Sequence, residues 1–176
     1  MSRLAVEVNN HSRYAIDEAA VEALAGAVLT AEGVAAGELG VTFVGERRMR
    51  ALNRDYREVD RATDVLAFPL EEAGEVDAPP AGVVTPPVET SAAAPLTAGG
   101  EEPPRLLGDV VVCPRVAQRQ ARTHGLPLPL EVAVLLVHGI LHVLGHDHGT
   151  GAGAMAARQA ELLQGLDWES LGVAPR

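Results

Sequence analysis

Lysine is absent from this chain, and all 14 basic residues are arginine. Cysteine is nearly absent too: Cys113 stands alone, which rules out an internal disulfide and a cysteine-based zinc cage. Any metal must therefore be held by nitrogen or oxygen. Cys113 follows the apolar run DVVV and precedes Pro114, so it reads first as a buried strand-end residue and only second as a reactive thiol. No apolar run approaches the roughly 18 residues needed to cross a bilayer. The N-terminal MSRLAVEVNN alternates, where a leader would have a charged segment and then a long apolar one. The expectation is a cytoplasmic chain with no membrane partner.

What is present suffices for one domain with a real core: 176 residues, of which 47% are apolar. The net charge of −10 argues against a nucleic-acid partner, because phosphate contacts need a positive surface. The distribution tells more than the sum. Nine arginines fall in two short stretches: Arg47, Arg48, Arg50, Arg54, Arg57 and Arg61, then Arg115, Arg119 and Arg122. The second set repeats at i, i+4 and i+7, one face of a helix, and the rigid arginine fork suits phosphate. Glu46, Asp55, Glu58 and Asp60 partly cancel the first set, so charge alone favours a solvated face.

Periodicity predicts the architecture. LAVEV (4–8), LGVTFV (39–44), DVLAF (64–68) and LLGDVVV (106–112) read as strands. Asp17 can cap a helix running to about Thr30, and Met49, Leu52 and Tyr56 mark an amphipathic helix from Glu46 to about Glu58. Pro114 suits the first turn of a helix ending near Thr123. A strongly apolar helix spans about Leu130 to Leu144, and a last one about Gly153 to Gln164. Residues 71–104 carry seven prolines among Ala, Gly, Thr and Glu and read as a flexible insertion. The expected fold is a single α+β domain over 1–176, a small mixed sheet packed with about five helices, the helices lying to one side.

Four of the six histidines fall within HGILHVLGHDH, residues 138–148. On a helix His138 and His142 project from one face a turn apart, the spacing that lets two imidazoles share an ion. Gly145 can adopt a left-handed conformation, end the helix and bring His148 round to the same place. Three nitrogens with one open position is the arrangement of catalytic zinc. A lone histidine on an apolar helix is usually a satisfied core residue, but three at this spacing are hard to explain by packing, because buried imidazoles need partners. His146 reads as a supporting or exposed group in the turn, Asp147 as a group that could orient a liganding imidazole or cap local backbone, and His11 and His124 as surface residues. The spacing is also that of metzincin proteases, whose first histidine is followed by a general-base glutamate. Here that position is Gly139.

Residues 138–148 match, at every specified position, the H-G-x-L-H-x-x-G-x-D-H stretch of the YbeY family of single-strand-specific endoribonucleases. LNRDYREVDRATDVLAFP (52–69) resembles that family's second marker, and LLGDVVVCP (106–114) is similar to its Gly-Asp strand. The resemblance covers essentially the whole chain apart from the insertion. It implies a zincin-like histidine helix and one Zn2+ per chain on His138, His142 and His148, with Arg57 and His138 in the catalytic set. It also implies maturation of ribosomal RNA, especially the small-subunit 3′ end, and a part in ribosome biogenesis and quality control. The partners it implies are single-stranded and ribosomal RNA and the ribosome or a small-subunit ribosomal protein, not DNA. Attack by water and attack by the RNA 2′-hydroxyl both stay open. Under this resemblance Arg54, Arg57, Arg61 and the 115–122 helix become walls of a groove for an RNA backbone, and the few aromatics leave base stacking minor.

The chain departs from the family pattern at Ala67, where serine is usual, and at GTGAGA (149–154), which lacks the expected acidic residues. The insertion is also longer than the usual connection. Two other readings remain, a metalloprotease and a non-catalytic assembly factor whose zinc braces the fold. Deleting residues 75–100 is expected to leave zinc uptake unchanged; a folded deletion variant without zinc would overturn that.

Overall fold

A computed structural model of the protein describes residues 4–70, 105–146 and 152–176. The expected insertion at 71–104 and His148 lie outside the described residues. In chain order the elements are β1 (Leu4–Asn10), β2 (Tyr14–Ala15), α1 (Glu18–Ala31), β3 (Gly37–Phe43), α2 (Glu46–Arg57), β4 (Val65–Pro69), β5 (Leu106–Val112), α3 (Pro114–His124), α4 (Leu128–Val143), α5 (Ala152–Gln164) and β6 (Ala174–Pro175). A 3-10 turn at Glu169–Leu171 precedes β6.

Local chemistry accounts for most of these boundaries. Asp17 Oδ1 accepts the N–H of Ala20 at 3.0 Å and so satisfies an orphan donor in the first turn of α1. Pro114 opens α3 as expected. Helix α4 starts two residues before the expected Leu130, because Pro129 sits inside its first turn, where a missing N–H costs no bond. The antiparallel pair of β2 and β6 was not foreseen, since two-residue strands carry no period to read. Tyr14 in β2 is buried, and its hydroxyl donates to Gln118 Oε1 at 2.8 Å.

The main sheet has the order β1-β3-β5-β4. Strands β1, β3 and β5 run parallel, and β4 joins the edge antiparallel, so the sheet is mixed. Leu39, Val41, Phe43, Val110 and Val112 face one core, shared with the apolar residues of α1 and α4. Each fully buried side chain there, such as Leu136, Ile140 or Leu141, contributes about 1.5–3 kcal/mol. Val111 points the other way and joins Val44, Met49, Leu66, Cys113 and Val116 in a second, smaller cluster. The helices are therefore not confined to one side. An unbroken Val110–Val112 run needs cover on both faces, and α2 supplies it on the second.

Glu7, Gly40, Asp109 and Phe68 form one row across the four strands. Asp109 lies over the glycine: a Cβ on residue 40 would stand 2.0 Å from Asp109 Oδ1. Partial burial first, and then the charge of Glu7, push the Asp109 carboxyl above its ordinary range. Close packing recurs where α4 crosses the sheet. A Cβ on Gly139 would meet Val110 Cγ1 at 2.6 Å and Val65 Cγ2 at 3.3 Å.

Two measurements follow from this packing. Gly139→Ala is expected to lose about 1–3 kcal/mol in denaturant unfolding through overpacking, whereas Gly26→Ala, with open space around it, should gain about 0.5–1 kcal/mol. Equal effects at the two positions would refute the close approach. For Asp109, a folded-state pKa above the unfolded one means stability that is full in acid and lost as pH rises through the folded value. Asp109→Asn should thus melt no lower than wild type at neutral pH, and its advantage should shrink towards about pH 4, near the ordinary aspartate value. An advantage that grew in acid would contradict this.

Candidate functional site

Helix α4 is buried on most of its circumference, including Val132, Ala133, Leu135, Leu136, Val137, Gly139, Ile140, Leu141 and Val143. Beyond Leu128 and Pro129 in its first turn, its less buried positions form a stripe, Leu130, Val134, His138 and His142, spaced four apart. Core packing thus turns both histidines to the same open edge. Their ring centroids lie 4.6 Å apart with the planes at 74°. Two imidazole nitrogens on neighbouring turns are a donor set that suits zinc and similar divalent ions. His138 Nδ1 also lies 3.1 Å from Gln159 Oε1 on α5.

The end of α4 is closed as the sequence suggested. Gly145 has φ +88, its N–H donates to His142 O at 3.0 Å, and the N–H of His146 donates to Leu141 O at 3.0 Å. Together these bonds cap the last carbonyls of α4. His146 is not exposed to no purpose: its Nε2 lies 2.9 Å from Glu32 Oε2. His148, expected to be the third ligand, and Asp147 lie outside the described residues.

Arg57 is the last residue of α2, exposed, and has no ion-pair partner among the described residues. No hydrogen bond joins it to His138 or His142. The chain after it is tightly held, however. Buried Asn53 donates from Nδ2 to Arg61 O at 2.8 Å and accepts the N–H of Val59 on its own carbonyl at 3.3 Å. Arg50 grips Asp60 through Nε at 2.8 Å and Nη2 at 2.6 Å. That hydrogen bond holds the Asp60 carboxyl below, and the Arg50 guanidinium above, its ordinary range. The segment ends at Asp64, whose Oδ1 accepts from the Val65 N–H at 2.8 Å and whose Oδ2 accepts from Gln120 Nε2 at 2.9 Å. Val65 then packs on Gly139, beside His138. The stretch 52–69 therefore runs from Arg57 to the wall of the histidine helix.

Of the acidic residues expected to offset the first set of arginines, Asp55 and Asp60 do so, whereas Glu46 turns to the second set. Glu46 is shared by Arg119 at 2.5 Å and Arg115 at 3.9 Å, and Asp55 pairs with Arg54 at 3.1 Å. Such exposed pairs add little stability. Arg47, Arg48, Arg57, Arg61 and Arg122 have no ion-pair partner among the described residues. Cys113 is fully buried, and burial raises its thiol pKa, in keeping with an inert core residue. His124 is exposed but stands 3.3 Å from the buried carboxylate of Glu131. Gln159 and Glu32 carry no sequence signal of their roles, because their partners lie on other elements.

Among the described residues no single helix is long and apolar enough to cross a membrane. Comparison with known proteins bears on the rest. Residues 7–167 match the family described as endoribonuclease YbeY. An endoribonuclease YbeY from Moorella thermoacetica is 44% identical over 143 residues, 80% of each chain. One from Geobacillus kaustophilus is 41% identical over 128 residues, 72% of this chain and 70% of its own. In solution a Thermotoga maritima protein has a similar fold, with a TM-score of 0.55 over 90% of this chain and 87% of its own, at 21% identity. This chain belongs to the YbeY family of endoribonucleases.

Proposed function

We propose that this protein is a zinc-dependent endoribonuclease of single-stranded RNA, acting in the cytoplasm on ribosomal RNA, above all the small-subunit 3′ end. The observation that carries the metal part is the pairing of the His138 and His142 rings on the one open stripe of an otherwise buried helix. His138, His142 and, by sequence, His148 would hold one ion. When bound, that ion supplies Lewis acidity at the scissile phosphoryl group.

The chain's own residues divide the remaining work. Cleavage of a phosphodiester builds negative charge on the phosphoryl oxygens, and an exposed guanidinium such as Arg57, with no ion-pair partner among the described residues, can stabilise it. Arg61, four residues on, extends the positive edge along which a phosphate backbone could run. The ribosome or a small-subunit ribosomal protein would present the substrate, in keeping with few stacking aromatics. Such a role would belong to ribosome biogenesis and quality control.

A protease reading has less support. The metzincin base would have to stand at residue 139, and there even a Cβ would collide with Val110. A carboxylate there would require Val110 to shift or α4 to move away from the sheet.

The test pairs metal analysis with digestion of a single-stranded ribosomal RNA fragment. Wild type should carry about one zinc per chain and cut the RNA. His142→Ala should lose both properties, and Arg57→Glu should keep the metal while cleavage falls by at least about 100-fold, the scale of one lost charge-stabilising donor. Cleavage by Arg57→Glu at the wild-type rate would remove Arg57 from the catalytic set. A zinc-loaded wild type that digests peptides and spares RNA would restore the protease reading.

A further inference from the structure

Two adjacent side chains of α5 reach in different directions. Gln159 meets His138, as described. Arg158 sends Nε to Glu32 Oε1 at 2.6 Å, Nη1 to Glu161 Oε2 at 2.8 Å and Nη2 to Ala31 O at 3.0 Å. Glu32, at the C-terminal cap of α1, uses its second oxygen for His146. Its side chain is only 9% exposed. One nearly buried carboxylate therefore ties α5 and the cap of α4 to the end of α1.

Such a carboxylate is a poor source of net stability, because the cost of desolvating the charges offsets much of their attraction. What this arrangement supplies is geometry. The oxygen of a side-chain amide only accepts, so a bond between Gln159 Oε1 and His138 Nδ1 requires the proton on Nδ1. In the neutral ring the lone pair is then on Nε2. Outer partners of this kind hold a liganding imidazole in one tautomer and one orientation. Gln159 keeps its reach while α5 stays in register against α4; Met155 and Leu162 seat α5 in the core, and the neighbouring Arg158 adds a polar fastening to the end of α1.

We propose that Gln159 is a positioning residue that sets the tautomer of His138, and that Glu32 holds it in place through Arg158. Only the consequence for zinc rests on the function proposed above; the tautomer belongs to the metal-free protein.

Long-range proton–nitrogen spectra of metal-free protein with 15N-labelled histidine read the tautomer directly. Wild type should show the His138 proton on Nδ1. Gln159→Leu should move it to Nε2, while Gln159→Glu, which keeps an acceptor oxygen, should preserve the wild-type signature. Zinc affinity by chelator competition should fall about 10–100-fold in Gln159→Leu and stay near wild type in Gln159→Glu. Glu32→Ala, and the milder Glu32→Gln should the first not fold, should give a mixed tautomer signal and a smaller loss of affinity. A wild-type proton on Nε2, or a Gln159→Leu spectrum identical to wild type, overturns the proposal. Unchanged spectra in both Glu32 variants overturn the part assigned to Glu32. A wild type with the Nδ1 proton and no zinc uptake would sink the metal reading and leave the tautomer assignment standing.

Discussion

The approach of α4 to the sheet at Gly139 is the constraint on which the site depends. With no side chain there, the helix settles against Val110 and Val65, and its apolar residues are taken up by the core. Beyond its first turn one stripe is left less buried, and it contains His138 and His142. A larger residue at 139 would lift the helix, and the two rings would lose the surface that aims them. The same contact brings β4 alongside the histidine helix, and β4 is where the segment that begins at Arg57 ends.

Around that contact, polar residues act as fasteners more than as sources of stability. Asn53 and Asp64 each satisfy several backbone or side-chain groups between α2 and β5, and together they hold the loop that follows Arg57. Glu32 has the corresponding place at the other end of α4, joining α1, the α4 cap and α5. Buried or half-buried hydrogen-bonded groups of this kind are costly when half satisfied and restrict geometry when fully satisfied. Exposed pairs such as Arg54 with Asp55 belong to a different class, worth little in energy. Their effect is to decide which arginines keep their charge available.

Much of the fold could be read directly. The strand LLGDVVV has the bounds its composition implied, and Asp17 and Pro114 start their helices where capping chemistry puts them. These elements obey local rules, in which a period of two or 3.6 residues and one capping group decide the outcome. The errors are non-local. The β2–β6 pair joins residues far apart in sequence, and placing α2 on the second face depends on burial of Val111, which strand alternation alone cannot assign to a partner.

The site divides in the same way. The i, i+4 spacing of His138 and His142 and the left-handed turn at Gly145 were determined by sequence, because helix geometry and glycine's missing Cβ act within a few residues. So was family membership, carried by contiguous motifs. The tertiary structure alone decided that Gly139 faces the sheet, that Arg57 has no acidic partner among the described residues while Arg50 and Arg54 are paired, and that Gln159 and Glu32 support the histidine helix. Each of those outcomes depends on which surfaces meet when separate elements pack, and burial and hydrogen bonding between distant residues leave no period in the chain.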